Sequence, residues 1–129
     1  MDKKNYWTHQ GLSGPHGVST YINRGYKFYN FLFNYLLTTI SKSERYKVSV
    51  LEVGSNVGGN LNFLGQNGFE NLHGFDICKR AILHGQELYP NLVLERSDCL
   101  DYLTSQNDNS FDFIFSVGCL INIEHKSEL

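Results

Sequence analysis

Four short apolar segments occur in the chain after residue 47. They cover residues 48–53, 71–77, 92–96 and 111–117, and stretches of mixed polarity separate them. The first segment, rich in β-branched residues and leucine, has the composition of a strand that is covered on both faces of a parallel sheet. The intervening stretches have the length and composition of helices. The pattern therefore predicts an α/β fold in which parallel strands alternate with helices.

The stretch before the first strand predicts a helix from Ser19 or Thr20 to Ile40. Its apolar face would pack on the sheet through residues at helical spacing, namely Tyr21, Phe28, Phe31, Leu32, Tyr35, Leu36 and Ile40. Residues 1–18 are rich in aromatic and glycine residues, which favours an irregular N-terminal arm, with a disordered tail as the alternative. Residues 19–129 would then form the folded domain.

The second predicted helix follows the first strand and runs from about Val57 to Asn67. Leu61 and Leu64 would face the sheet, and Gly68 would end the helix. This helix starts beside the carboxyl end of the strand, where its free backbone N–H groups point towards any ligand bound there.

An acidic residue and a glycine-rich turn end the first strand. Glu52 stands near its end, and Gly54 and Gly58 follow. A buried carboxylate is costly unless something nearby needs a hydrogen-bond acceptor. Glycine allows unusual backbone angles and the close approach of a ligand. The turn therefore predicts a cradle for a small molecule.

Two ligand classes fit such a turn. A dinucleotide site has the pattern G-x-G-x-x-G, and Gly54, Asn56 and Gly59 give G-x-N-x-x-G here. Glu52 favours a different ligand, because a carboxylate at that position suits a cationic ammonium group and not a pyrophosphate. A NAD-type oxidoreductase domain stays open as the alternative.

A second acidic residue, Asp76, ends the second strand. It follows Glu52 by 24 residues, about the spacing that brings an acidic side chain to a ribose in a βαβ unit. A carboxylate can accept hydrogen bonds from two hydroxyl groups at once. The alternative is that Asp76 caps the helix that starts near Lys79.

The sequence from Leu51 to Gly58, LEVGSNVG, resembles motif I of the class I S-adenosylmethionine-dependent methyltransferases, E/D-x-G-x-G-x-G. Asn56 replaces the middle glycine, and asparagine also tolerates left-handed backbone angles. The resemblance implies a Rossmann-like three-layer sandwich that binds S-adenosylmethionine and transfers its methyl group to an acceptor.

The same resemblance implies a role for each matching residue. Glu52 would hold the amino group of the cofactor, and the turn with Gly54, Ser55, Asn56 and Gly58 would pass beneath it. The ribose and the adenine would be bound by residues after the next two strands, namely Asp76 with Ile77, and Asp98 with the backbone N–H of Cys99. The alternative for Asp98 is a helix cap.

The fourth apolar segment and the residues after it resemble motif IV of these enzymes, and Ser116 begins the part that continues over the pocket. Asn122 stands where many members have histidine, so no general base or other catalytic residue is assigned.

A narrower resemblance concerns the N-terminal part. The arm with Trp7, followed by Tyr21 and Arg24, is similar to methylases associated with pseudaminic acid and bacterial surface-polysaccharide biosynthesis. It implies that Tyr21 and Arg24 close over the cofactor carboxylate. The alternative is that Arg24 is a solvated helix charge. The implied acceptor is a nucleotide-linked or polymer-bound sugar, with another small metabolite as second choice.

A complete class I methyltransferase has three further strands after motif IV, whereas this sequence stops at Leu129. The expectation is therefore an incomplete domain, present as strands one to four. A truncated, non-catalytic module remains an alternative, and its exposed sheet edge would favour self-association.

Composition narrows the remaining function classes. With 129 residues and 41% hydrophobic content the chain can bury one core. A net charge of −2 offers no basic surface for nucleic acid. No apolar run reaches the roughly 18 residues that span a bilayer, and no signal-peptide core follows Met1, so no membrane partner and a cytoplasmic location are expected. The spacing of Cys78, Cys99 and Cys119 and of the histidines predicts neither disulfides nor a metal site.

Overall fold

A computed structural model describes residues 2–11, 17 and 30–120 of the chain. The elements, in chain order, are α1 (Lys3–Thr8), α2 (Asn30–Thr39), a 3-10 turn (Arg45–Lys47), β1 (Ser49–Val53), α3 (Gly59–Gln66), β2 (Asn71–Asp76), α4 (Lys79–Leu88), β3 (Val93–Arg96), α5 (Cys99–Ser105) and β4 (Phe113–Ser116).

The four strands form one parallel sheet in the order β3-β2-β1-β4. The chain thus adds β2 and β3 on one side of β1 and then returns to place β4 on the other. Helices connect the strands, as right-handed crossovers between parallel strands require. This arrangement confirms the predicted α/β fold, and it makes the β1/β4 boundary the point where the strand order reverses.

Two apolar clusters cover β1, all of whose residues are buried. On one face, helices α2, α3 and α4 contribute to a cluster made of Phe33, Leu36, Val50, Leu61, Leu64, Phe69, Leu72, Ile82, Leu92, Leu94 and Phe115. On the other face, Leu51 and Val53 pack with Phe75 and Tyr102, whose rings stack with centroids 4.2 Å apart. Successive β1 side chains therefore alternate between the clusters, as the pleat of a strand requires.

The buried face of α2 differs from the predicted one. Phe31 is 90% exposed and Tyr35 is 56% exposed, whereas Phe33 and Leu36 are almost fully buried. The reason is aromatic packing, because the Phe33 ring contacts Phe63 with centroids 4.9 Å apart and also contacts Phe115. The predicted stripe is therefore wrong at Phe31 and Tyr35, and its members Tyr21 and Phe28 lie outside the described residues.

Helix α3 agrees closely with its prediction. Leu61 and Leu64 are fully buried, and the helix ends at Gln66, before Gly68 with φ of 95°. Its start is at Gly59, two residues later than expected, because the left-handed Gly58 precedes it. The sequence therefore places this helix, and the turn before it decides where the first residue lies.

Arg45 joins the ends of α2 and α3. Its guanidinium donates to the carbonyl of Leu37 at 2.9 Å, to that of Ile40 at 3.1 Å and to that of Asn67 at 2.9 Å. Carbonyls at a helix C-terminus lack partners within the helix, and a planar cation with several donors can satisfy them. The polar connection before β1 thus holds two helices on one face of the sheet.

The N-terminal segment contains a helix where the sequence predicts an irregular arm. Helix α1 spans Lys3–Thr8, and the Asp2 side chain caps it by accepting from the Lys4 backbone N–H at 3.0 Å. An aspartate at the N-cap satisfies one of the orphan donors of a helix start. The prediction of an irregular opening is therefore wrong for these residues.

Asp112 connects the amino ends of β1 and β4 by hydrogen bonds. Its Oδ2 accepts from the backbone N–H of Ser49 at 2.9 Å and from Ser49 Oγ at 3.0 Å. The Asp112 N–H donates back to Ser49 Oγ. These bonds are structural and lie at the opposite end of the sheet from the turn after β1, so Asp112 aligns the two strands whose other ends form the candidate site.

Candidate functional site

The carboxyl ends of β1 and β4 mark the place where this sheet can bind a ligand. In open α/β sheets the crevice at the reversal of strand order is the usual binding position. Val53 pairs with Ser116 in the register of the two strands, so both strands end side by side. The turns that follow β1, β2 and β3 reach the same edge, because all strands are parallel.

The turn after β1 adopts left-handed backbone angles at three positions. Gly54 has φ of 74°, Asn56 of 49° and Gly58 of 90°. Asparagine is among the few residues other than glycine that adopt this conformation readily. Asn56 also accepts a hydrogen bond from the Val57 N–H through its own side chain at 2.9 Å. The residue in place of the middle glycine therefore preserves the path of the turn.

Side chains of the chain itself fill the space that the two glycines leave. A Cβ atom on Gly54 would lie 2.5 Å from Cys119 Sγ, and one on Gly58 would lie 2.8 Å from a methyl group of Leu92. Real Cβ atoms are essentially never found so close to another atom. A side chain at position 54 would therefore collide with Cys119, whereas at position 58 the nearest atom is the end of a flexible leucine side chain, and the left-handed backbone angle is the stronger reason for glycine.

All backbone N–H groups of the turn are already bonded within the protein. Gly54 and Ser55 donate to the Phe75 carbonyl, at 3.1 and 2.9 Å, and Gly58 donates to the Ser55 carbonyl at 2.9 Å. The Asn56 N–H donates to Asp76 Oδ2 at 2.8 Å, and Val57 uses the Asn56 side chain. This turn consequently keeps no N–H group for a phosphate.

Glu52 is buried, with 2% of its surface exposed. Its Oε1 accepts from Asn60 Nδ2 at 2.8 Å, while Oε2 is buried and has no hydrogen-bond partner among the described residues. Burial raises the pKa of Glu52 to about 8, the Asn60 bond lowers it, and the charge of Asp76 raises it further. A buried carboxylate with an open oxygen requires a proton, a donor or a cation there.

Asp76 links the turn after β1 to the start of α4. Its Oδ2 accepts from the Asn56 N–H, and its Oδ1 accepts from the Cys78 N–H at 2.9 Å. Burial raises the pKa of Asp76, and these backbone donors oppose that shift. Cys78, and not Asp76, is the N-cap residue of α4, so the capping alternative is wrong for Asp76. Each oxygen of Asp76 keeps a second lone pair for another donor. Ile77 lies within the same turn, and its carbonyl accepts from Arg96 Nε at 3.3 Å.

Asp98 caps helix α5 and pairs with a lysine from α1. Its Oδ1 accepts from the Asp101 N–H at 2.8 Å, and Lys4 Nζ lies 3.0 Å from its Oδ2. The Asp101 N–H contributes most to lowering the pKa of Asp98, and Lys4 adds to the shift. Cys99 is the first residue of α5, and burial raises the pKa of its thiol. The capping alternative is thus observed for Asp98.

Ser116 provides a second buried polar atom without a partner. Its Oγ has no well-formed hydrogen bond within the described part of the chain, although it lies close enough to the Cys119 thiol to lower the pKa of that thiol slightly. Ser116 pairs with Val53 and therefore faces away from Glu52, on the other side of the sheet. Nearby, burial raises the pKa of Cys119 to about 11, so its thiol stays protonated at neutral pH. The only unpartnered buried side-chain atoms among residues 2–11, 17 and 30–120 thus flank the reversal of strand order.

The structure brings most of the sequence-predicted residues to one edge of the sheet. Tyr21 and Arg24 lie outside the described residues, as does Asn122. Sequence reasoning did not assign Asn60, Lys4 or Cys119, which contact Glu52, Asp98 and Gly54 respectively. Cys119 lies in the segment that resembles motif IV, whereas Asn60 and Lys4 lie outside the motifs, and nothing local in the sequence shows which residues these three contact.

Neither a metal cluster nor a membrane-spanning helix occurs in the described ranges. No group of three or more histidine, cysteine, aspartate or glutamate residues there could hold a metal ion. Cys78, Cys99 and Cys119 are free thiols. The helices described above are all too short or too polar to cross a bilayer.

A family model described as "Methyltransferase domain" matches residues 50–129. The chain belongs to this family. The match begins in β1 and includes every residue of the site from Glu52 to Ser116. It confirms the methyltransferase resemblance inferred from motif I, and it gives no support to the NAD-type alternative. The match does not extend to the narrower surface-polysaccharide group.

One curated relative is the phosphoethanolamine N-methyltransferase of Plasmodium falciparum. It is 28% identical to the chain over an alignment of 125 residues, and the match covers 84% of the chain and 46% of that enzyme. The chain therefore spans about half the length of the curated relative that it matches.

Solved structures show the same fold at lower identity. The plantazolicin methyltransferase BpumL in complex with SAH, S-adenosylhomocysteine, matches with a TM-score of 0.53 and 21% identity, covering 89% of the chain and 45% of that protein. The PH0226 protein from Pyrococcus horikoshii OT3 matches with a TM-score of 0.52 and 22% identity, covering 83% of the chain and 45% of that protein. Both likenesses confirm the α/β fold of the described sheet and helices.

Proposed function

We propose that this chain is the S-adenosylmethionine-binding part of a methyltransferase with a small-molecule acceptor. The observation that carries the proposal is the open Oε2 atom of Glu52, buried at the carboxyl end of the central strand. When bound, S-adenosylmethionine supplies an electrophilic methyl group that a nucleophilic atom of the acceptor takes by in-line displacement. The contribution of the chain is to bind and orient.

Glu52 fits the ammonium group of the cofactor. Asn60 holds Oε1 and leaves Oε2 free to accept from a cationic donor. Without a cation, burial keeps the carboxyl protonated at neutral pH, since its pKa is about 8. An adjacent ammonium group would favour the ionised form and would form a charge-assisted hydrogen bond.

The remaining predicted contacts follow the edge of the sheet. Asp76 keeps one lone pair on each oxygen for the ribose hydroxyls, beyond its bonds to Asn56 and Cys78. Ile77 and the start of α5, with Asp98 and Cys99, would line the adenosyl part. Ser116, at the carboxyl end of β4, would line the site from the β4 side.

A NAD-type dinucleotide is the second candidate, and the turn after β1 disfavours it. A dinucleotide site uses backbone N–H groups of this turn and of the following helix to bind pyrophosphate. In this chain the N–H groups of residues 54–58 are bonded within the protein.

The acceptor that we propose is a nucleotide-linked or polymer-bound sugar, from the resemblance of the Tyr21 and Arg24 segment to surface-polysaccharide methylases. The phosphoethanolamine relative makes a phosphorylated amine the competing candidate. Residues 19–129 would form the binding domain and residues 1–18 an arm.

Isothermal titration of the full chain with S-adenosylhomocysteine and with NAD tests the cofactor. We expect binding of S-adenosylhomocysteine at one site and none of NAD. Glu52→Gln should weaken binding at least tenfold, or about 1.4 kcal/mol, because the amide is neutral. Leu83→Gln, an exposed change on α4, is the matched control and should bind normally. Binding of NAD but not of S-adenosylhomocysteine would overturn the proposal.

We also propose that two copies of this chain associate through β4. Among the described residues β4 pairs with β1 on one side only. Ile114 on this strand is 54% exposed. An open edge strand with exposed apolar side chains is a template for pairing with another strand.

A further inference from the structure

Helix α1 and the residues just after it contact the starts of two other helices. Lys4 Nζ lies 3.0 Å from Asp98 Oδ2, at the start of α5. The Cys78 thiol, at the start of α4, donates to the Gln10 carbonyl at 3.9 Å. The N-terminal segment therefore reaches from the turn after β3 to the turn after β2, at the carboxyl edge of the sheet.

These are the turns to which the proposed function assigns the adenine and the ribose, and the inference rests on that function. We propose that α1 is a cover over the adenosyl end of the cofactor, and that Lys4 is a positioning residue that latches the cover onto Asp98. Exchange of the cofactor then requires the Lys4–Asp98 ion pair to open.

The construction of α1 suits a movable cover. It has six residues, and none of them is buried. An isolated helix of this length is unstable in water, so its position depends on contacts with the rest of the fold. Lys4 supplies one such contact across 94 positions of sequence.

Asp98 can bind Lys4 with one carboxylate oxygen while the other oxygen keeps the side chain fixed at the start of α5. Its Oδ1 is held by the Asp101 N–H, which fixes the carboxylate on α5. Its Oδ2 bonds to Lys4, whose side chain is 64% exposed, against 27% for that of Asp98. Exposed ion pairs contribute little and open readily, so the latch is weak enough to release during each binding event.

The chain carries its own probe for this movement. Trp7 is the single tryptophan of the sequence and lies on α1. Its fluorescence therefore reports on the surroundings of the cover. Stopped-flow fluorescence of the full chain, loaded with S-adenosylhomocysteine and then diluted or chased with S-adenosylmethionine, measures the dissociation rate.

We expect Lys4→Ala to raise the dissociation rate about two- to five-fold, the range that one exposed ion pair can contribute. Lys4→Arg should restore the wild-type rate, because arginine keeps the charge. Lys3→Ala is the matched control, since Lys3 lies on the same helix and is exposed, and the rate should not change. Added salt should accelerate dissociation from the wild type more than from Lys4→Ala.

The outcomes separate the cover from the cofactor assignment. Equal dissociation rates for the wild type and Lys4→Ala, with S-adenosylhomocysteine bound to both, would overturn the cover alone. A lower melting temperature of Lys4→Ala with an unchanged dissociation rate would show a purely structural ion pair, and it would overturn the cover as well. Failure of the wild type to bind S-adenosylhomocysteine would overturn the proposed function and this inference with it.

Discussion

Asn60 Nδ2 donates to Glu52 Oε1 at 2.8 Å, and this bond connects the first turn of α3 to the end of β1. The helix that begins after the glycine turn thereby orients the carboxylate that precedes the turn. The second oxygen, Oε2, has no partner within the described residues. Burial holds the pKa of this carboxyl at about 8. Both the stability of the fold and the binding of the cofactor should therefore depend on whether Glu52 is protonated.

Stability should depend on pH through Glu52. Its pKa is raised from 4.5 to about 8 on folding, so the folded state binds the proton more tightly than the unfolded state. The stability that this proton contributes is complete below about pH 4.5 and is lost as the pH rises to about 8. Urea denaturation over this range should show that the free energy of unfolding declines by up to about 5 kcal/mol more in the wild type than in Glu52→Gln. The same pH dependence in both proteins would contradict this assignment.

Cofactor binding should release a proton. At pH 7 the Glu52 carboxyl is mostly protonated, because its pKa is about 8. A bound ammonium group would favour the ionised form, and close to one proton should be released for each S-adenosylhomocysteine bound. Titrations in buffers with different ionisation enthalpies measure this number. Glu52→Gln should release no proton on binding, because its side chain does not ionise. Proton release that persists in this variant would show that another group supplies the proton.

Asp76→Asn should lower the affinity for S-adenosylhomocysteine at least tenfold, or about 1.4 kcal/mol. The amide has one acceptor oxygen in place of two, so it cannot keep both backbone bonds and serve the ribose hydroxyls. Titration gives the affinity, and the melting temperature reports on the turn. A lower melting temperature with unchanged affinity would limit Asp76 to joining the turn after β1 to α4.

Ile114→Lys should abolish self-association through β4. Ile114 is 54% exposed on an edge strand, and a lysine there opposes edge-to-edge pairing. Light scattering after size exclusion at two concentrations measures the mass. Leu83→Lys is the control, because Leu83 is 51% exposed on α4, away from that edge. A wild-type monomer at both concentrations would exclude this dimer.

Local sequence patterns are sufficient to predict the strands, helix α3 and the family. The apolar run that ends at Glu52 predicts β1, which is buried throughout, and Leu61 and Leu64 mark the buried side of α3. Helix α2 was predicted less well. Its aromatic residues occur on more than one side, and packing against Phe63 and Phe115 selects Phe33 in place of Phe31.

The sequence by itself determined that this chain is an α/β methyltransferase domain with acidic side chains at the carboxyl ends of β1, β2 and β3. Strand pattern, turn residues and motif spacing are local properties, so they can be read along the chain. Only the tertiary structure decided what those acids contact. Asn60 holds Glu52, Lys4 reaches Asp98 across 94 residues, and Cys119 packs on Gly54. Such pairs depend on how helices and strands lie against each other in three dimensions, and spacing along the chain carries no record of that arrangement.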